Sequence, residues 1–381
     1  MDLKGNKKEK EAKEKNKNNR ILNPKEEQII NTKIIDVRKL HAHEYKRIIE
    51  EVSSLLNSGE VIVFPTETVY GLGANAFDSS AVSKIFKIKN RPKDNPLIVH
   101  ISSLEMLKFL VEEISEDANK LMNKFWPGPL TLILKKNTLV PEITTAGLDT
   151  IAIRMPNHSV ALDIIKTSGF PIAAPSANLS GKPSATNAKD AFSDLQGKVP
   201  LIIDGGQCKI GIESTVINMV SEPYTILREG YITKEQIEEE LKKNIEICKK
   251  NCEKLLSPGM KYKHYSPDAK VFIGRRKDGR MKTIINMAYA AEKLSNKKKK
   301  VKIIFSEPIP EKMKKEFSKL GNITEYENHI QMARCLFKEL RNADKNNFDV
   351  ILIEGVYEFG IGRAIMERIE KAADGNIEEI I

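Results

Sequence analysis

The sequence predicts an α/β protein built on a mixed sheet and followed by a smaller, doubly wound α/β domain. Three observations carry this expectation. Strand-length apolar runs alternate with stretches of helical period along most of the 381 residues. Strands crowd together between Thr131 and Leu227, which favours a mixed over a purely parallel sheet. Beyond Lys270 the chain returns to a regular β-α-β rhythm of domain size. A chain this long exceeds the usual span of one domain, so two are expected.

Residues 1–31 read as a basic tail expected to be disordered. The first twenty hold eight basic and four acidic side chains and so supply +4 of the net +10. The larger domain spans 32–235. It opens with a strand in TKIIDV, then EYKRIIEEVSSLLNSG has helical spacing closed by Gly59. VIVF is the next strand, followed by a helix in DSSAVSKIFKIKN, a strand in LIVHI and a helical pattern from about residue 103 to 125. LTLIL, TIAIRM, FPIAAPS, VPLIID, STVINM and YTILREG supply the crowded strands. Residues 236–269 read as a charged helical segment running into a turn-rich linker, SPGMKYKHYSPDAK. Residues 270–381 carry VFIG, a helix near 284–294, VKIIF, two further helices and VILIEG.

Composition narrows the function classes. No apolar run is long enough to span a bilayer, and the first residues lack the apolar region of a secretory signal, so a cytoplasmic protein with no membrane partner is expected. Cys208, Cys248, Cys252 and Cys335 are too few for a disulfide framework. Cys248 and Cys252 could share one helix face, but no second ligand pair accompanies them, so no metal held by the protein is expected. There is no G-x-S-x-G elbow and no H-E-x-x-H, which disfavours covalent nucleophilic and zinc chemistry. The positive charge, including Lys297–Lys300, reads as solvated surface, with a compact phosphate ligand or a transient RNA contact as the alternatives.

The chemistry-bearing stretches end strands. FPTETVYGLG packs two threonines, a glutamate and a tyrosine between a proline and glycines. In KIKNRPKDNPLIVH the prolines stiffen the chain around Lys89, Arg91 and Asn95. That makes either a basic surface turn or a rigid cradle for phosphate oxygens, which arginine can hold bidentately. PIAAPSANLSGKPSAT offers small residues and hydroxyls, Ser176, Asn178 and Ser184 among them, without P-loop spacing. GIESTVINM places Ser214 at a strand start and ILREG places Arg228 at a strand end. Arg154 is the odd charge in an apolar strand, where an arginine usually faces solvent or pairs with a carboxylate but at a strand end beside Pro156 can also bind a ligand carboxylate, and His100 is either a structural histidine or a pocket donor.

FPTETVYGLG, KNRPKDNPLIVH, WPGPLTLIL, TIAIRMP, APSANLSGKPS, IESTV and ILREG, in that order across residues 44–233, resemble the YrdC-type threonylcarbamoyl-adenylate synthases. The linker and the small α/β domain resemble the long, two-domain form of that family. Asn90, between Lys89 and Arg91, departs from the smaller residue common there. The resemblance implies a YrdC-like mixed, twisted sheet domain with helices and a smaller C-terminal Rossmann-like domain. It also implies a nucleotidyltransferase that joins L-threonine, bicarbonate and ATP, with Mg²⁺, into threonylcarbamoyl-AMP and pyrophosphate. The product would feed tRNA N6-threonylcarbamoyladenosine formation through a downstream tRNA threonylcarbamoyl transferase machinery.

Carried over by motif, Lys89 and Arg91 would be the catalytic cations. Thr68, His100, Arg154, Ala174 and Ser214 would hold threonine. Lys89, Arg91, Asn95, Thr150, Ser176, Asn178, Ser184, Arg228 and His264 would surround ATP. Lys261, His264 and Tyr265 would form a lid that keeps water from the adenylate. Two rival readings are a different carbamoyl transferase, whose zinc-finger and acylphosphatase-like modules this chain lacks, and a non-catalytic RNA-binding protein.

Overall fold

The computed structural model describes residues 30–248 and 265–373. Within the compact unit Asn31–Ile381 stand two sheets. The larger has eleven strands: β1 (Lys33–Asp36), β2 (Ile62–Phe64), β3 (Gly71–Asn75), β4 (Ile98–His100), β5 (Leu130–Lys135), β6 (Thr150–Arg154), β7 (Ile172–Ala173), β8 (Leu201–Asp204), β9 (Thr215–Asn218), β10 (Thr225–Arg228) and β11 (Glu246–Ile247). Their order is β1-β8-β2-β3-β7-β4-β6-β5-β9-β10-β11, with parallel and antiparallel neighbours interspersed, as a mixed sheet requires.

Side chains alternate across each strand, so every apolar strand feeds two cores. Ile62, Phe64, Leu201 and Ile203 face one core with the Ala42–Asn57 and Ser159–Ser168 helices. Val61, Val63 and Ile202 face the other, with the Ser79–Lys89, Glu116–Phe125 and Ala188–Leu195 helices.

Three local features place the polar strand ends together. β2 and β3 pair antiparallel, Phe64 opposite Gly71, so residues 65–70 cross the end of the sheet. Gly73 is required there: a Cβ would lie 2.6 Å from the Phe64 ring and 2.8 Å from Ile172. β4 and β6 run parallel with His100 in register with Arg154, which sets both at one edge. β9 and β10 pair antiparallel, so Ser214, just before β9, meets Arg228 at the end of β10.

The smaller sheet has four parallel strands, β12 (Lys270–Gly274), β13 (Val301–Phe305), β14 (Asn322–Glu325) and β15 (Val350–Glu354), ordered β12-β15-β13-β14. Val301, Ile303, Phe305 and Leu352 pack under the Arg280–Asn296 and Glu311–Leu320 helices. Val271, Ile273, Ile304 and Ile351 pack under His329–Lys345 and Ile361–Ala372 on the opposite face. The domain is thus doubly wound and Rossmann-like, as the sequence predicts.

Two elements differ from expectation. The helix expected over 103–125 is a 3-10 turn at Leu104–Phe109, a bridge from Val111 to Lys136, and then a helix from Glu116 that Ser115 caps by accepting the Ala118 N–H. The charged helix expected to run well past residue 236 covers only Lys234–Leu241. Lys242 takes a left-handed conformation, φ 55°, and the chain returns as β11 along β10. Cys252, Lys261 and His264 lie outside the described residues.

The small domain docks on the large one. Val69 and Ile212 share an apolar cluster with Tyr265, Met332, Phe337 and Ile365. Gly211 lies so close to the His329–Lys345 helix that a Cβ would sit 2.2 Å from the Arg334 carbonyl oxygen. Arg341 donates to both Asp194 carboxylate oxygens, at 2.8 and 3.3 Å, with both side chains buried. Among the described residues no helix is long and apolar enough to cross a membrane.

Candidate functional site

The strand ends enclose a cleft of about 620 Å³, counted to its open mouth. Its wall brings together Thr68, Arg91, His100, Arg154, Ala174, Ser176, Ser214, Arg228 and Tyr265, nine of the residues that the sequence singles out.

One corner is built around Arg154. Its Nη1 donates to Thr68 Oγ1 at 2.9 Å, its Nε donates to the Gly128 carbonyl at 3.3 Å, and its Nη2 lies 2.6 Å from Glu67 Oε2. Arginine and glutamate side chains are each 4% exposed. The Glu67 contact is an attraction between charges without hydrogen-bond alignment, and Glu67 Oε1 has no protein partner. Thr66 fixes the turn by donating to the Val69 carbonyl at 2.6 Å. Beside Arg154, burial and the guanidinium's charge lower the His100 pKa to about 3, so its imidazole is neutral. His100 Nδ1 is buried without a protein partner. A fixed guanidinium, a hydroxyl and a neutral imidazole converge here, a set suited to a carboxylate carrying further polar groups.

A second group, two strands along the sheet, is built around Ser214. Arg228 donates through Nε to the Ser214 carbonyl and through Nη2 to Ser214 Oγ, both at 3.0 Å, and Ser214 Oγ lies 2.8 Å from Thr131 Oγ1. Glu213 lines the cleft, accepting from Ser184 Oγ at 2.6 Å on one oxygen while Arg368 Nε sits 3.3 Å from the other. Burial opposes its charge, but Arg368 and Arg228 outweigh it and keep the Glu213 carboxyl below its ordinary range. Arg91, also on the wall, is held by the carbonyls of Asn95 and Pro96, at 3.2 and 3.0 Å, which gives a cation on a fixed loop.

Not every expected residue reaches the wall. Lys89 is the last residue of the Ser79–Lys89 helix, where the left-handed Asn90, φ 52°, ends the helix, a conformation asparagine tolerates well. Its ammonium is buried and donates to the Ser176 and Asn178 carbonyls, so it braces the turn that carries Ser176. Burial, reinforced by Arg91, pushes the Lys89 pKa well below the usual lysine range. Asn178 bonds its own turn through the Leu179 and Lys182 carbonyls, and Asn95 and Ser184 are buried behind the wall. Thr150 begins β6, four residues before Arg154 and so about 13 Å away along the strand. Tyr265 is buried against the Phe337 ring, with centroids 4.9 Å apart, and forms part of the wall from the small domain's side. Glu67, Glu213 and Arg368 are site residues to which the sequence reading gave no role.

Two families match the chain: one described as telomere recombination (Sua5, YciO, YrdC) over residues 54–230, and one described as threonylcarbamoyl-AMP synthase, C-terminal domain, over 232–374. The threonylcarbamoyl-AMP synthase of Pyrococcus abyssi is 45% identical over 352 residues, which covers 92% of this chain and 100% of the relative. The chain belongs to the threonylcarbamoyl-AMP synthase family. The Bacillus subtilis synthase is 44% identical, covering 86% of this chain and 94% of its own. The crystal structure of Pyrococcus abyssi Sua5 complexed with L-threonine matches with a TM-score of 0.82 at 43% identity, over 91% of this chain and 99% of that one. Family membership and fold therefore agree on the long, two-domain form of the synthases.

Proposed function

We propose that the cleft is the active site of an L-threonylcarbamoyladenylate synthase, a nucleotidyltransferase acting in tRNA modification. The observation that carries this reading is the full-length similarity to a relative solved with L-threonine, combined with a corner here that suits an amino acid.

Threonine's carboxylate pairs with Arg154, and Thr68 and the neutral His100 meet its remaining polar groups. Its ammonium and bicarbonate give the carbamate, water and one proton. A carbamate oxygen then attacks the α-phosphorus of ATP, and pyrophosphate leaves. Both reacting groups are anionic, so positioning and charge neutralisation dominate and no protein nucleophile is needed. Arg91 and Arg228 supply cations on the wall, and Ser176 and Ser214 supply hydroxyls.

Among the described residues no group of three or more histidine, cysteine or carboxylate side chains is placed to hold a metal ion. In this reading Mg²⁺ enters as the counter-ion of ATP. Tyr265, on the small domain's side of the wall, shields the cleft from water. The labile adenylate passes to a downstream tRNA threonylcarbamoyl transferase machinery in the cytoplasm.

Pyrophosphate release by the purified protein, with threonine and bicarbonate omitted in turn, tests the reading. Release that requires both supports it. Release from ATP alone, or none with all substrates present, contradicts it.

A further inference from the structure

We propose that Arg368, in the small domain, is a positioning residue for the nucleotide half of the active site. Its guanidinium clamps the two segments that carry Ser214 and Arg228. This rests on the reading of the cleft as an ATP site.

Arg368 lies on the Ile361–Ala372 helix, and its side chain is completely buried. Its Nε faces Glu213, the carboxylate that holds Ser184 from its other oxygen. Nη1 donates to the carbonyl of Glu229, the residue after Arg228, and lies 3.0 Å from Glu367. Glu367 in turn accepts the Glu229 N–H at 3.3 Å. One guanidinium thus ties the start of β9 to the end of β10.

The two segments have no slack between them. A Cβ on Gly230 would sit 2.3 Å from the Thr215 nitrogen and 2.7 Å from the Glu213 carbonyl oxygen. A shift of either segment therefore moves the Arg228 to Ser214 hydrogen bonds, both 3.0 Å long, that shape the cleft wall. Removing Arg368 also takes from the buried Glu213 carboxylate the larger of its two cationic neighbours, leaving Arg228, next to where phosphates would bind.

The groups facing the threonine carboxylate are held by other means, whereas Ser214, which the resemblance groups with threonine, belongs in this proposal to the Arg228 side. Thr68, His100 and Arg154 depend on the β4/β6 register, on Glu67 and on the Gly128 carbonyl, all within the large domain. The clamp therefore has a selective signature, which general destabilisation lacks.

The test compares wild type, Arg368→Met, Arg368→Lys and Lys345→Ala by steady-state kinetics and by calorimetric titration with α,β-methylene-ATP, which cannot release pyrophosphate. Lys345 also bridges the domains, to Asp190 at 2.9 Å, but is no part of the cleft. Expected for Arg368→Met is a rise of about tenfold or more in the KM for ATP, with a matching loss of analogue affinity and a threonine KM within about threefold of wild type. Arg368→Lys, which keeps the charge but not the fork, should show the same split at smaller size, and Lys345→Ala should show none. If Arg368→Met does not fold, the lysine variant decides. Unchanged analogue affinity, or ATP and threonine KM rising together, would overturn the proposal. A wild type that binds the analogue but makes no adenylate would instead count against the synthase reading and leave the clamp standing.

Discussion

Arg154, on the cleft wall, and Glu67 face each other at 2.6 Å, both almost wholly buried. The pair holds the guanidinium in place in a buried setting, where an unpaired charge is costly. Arg154→Ala is expected to raise the threonine KM by about two orders of magnitude while changing the ATP KM little. Equal effects on both substrates would remove Arg154 from the carboxylate role. The same substitution strands Glu67, so stability should fall by about 3–5 kcal/mol in urea titrations. Adding Glu67→Gln should restore part of that loss, because it removes the uncompensated charge.

His100 gives a pH signature. Its pKa is about 3 in the folded protein, against 6.5 for an ordinary histidine, because burial and Arg154 disfavour the cation. Between those values the unfolded chain binds a proton that the native state does not, so this term is fully present above pH 6.5 and is lost as pH falls towards 3. His100→Gln should therefore flatten the dependence of melting temperature on pH in that window. A wild-type slope retained by the variant would place the effect on other groups.

At the domain interface, Arg341 and Asp194 form a bidentate pair with both partners buried. Asp194→Ala is expected to cost about 3–5 kcal/mol. Asp194→Ala and Arg341→Met combined should cost less than their sum, which a double-mutant cycle in denaturant measures. Strict additivity would mean that the two groups do not interact.

Gly211→Ala meets two obstacles. Its φ of +82° disfavours a side chain, and the new Cβ would lie 2.2 Å from the Arg334 carbonyl oxygen. The small domain must shift, so protease resistance at the interface and turnover should fall together. A variant with wild-type resistance would show that the close approach can relax.

Much of this was legible in the sequence because the signals are local. Alternating apolar runs located most strands, and the polar strand ends marked the cleft wall. The breaks at Leu110 and Leu241 were not legible, because apolar and charged spacing continued past both residues while pairing of Val111 and of β11 ended the helices. Lys89 read as part of a basic surface turn or of a rigid cradle for phosphate oxygens, but it is buried by the turn it braces. Glu213 with Arg368 and Asp194 with Arg341 lie 155 and 147 residues apart, and no period or spacing links positions so distant. The small domain's part in the site was hidden for the same reason.

The central claim is that this cleft joins threonine, bicarbonate and ATP in one adenylate. Mass spectrometry of the product formed from ¹³C-bicarbonate, threonine, ATP and Mg²⁺ tests it most directly. The account predicts a threonine-containing adenylate carrying one ¹³C, lost when Arg154 is alanine. AMP and pyrophosphate without any labelled adenylate, even in a quench at early times, would contradict it.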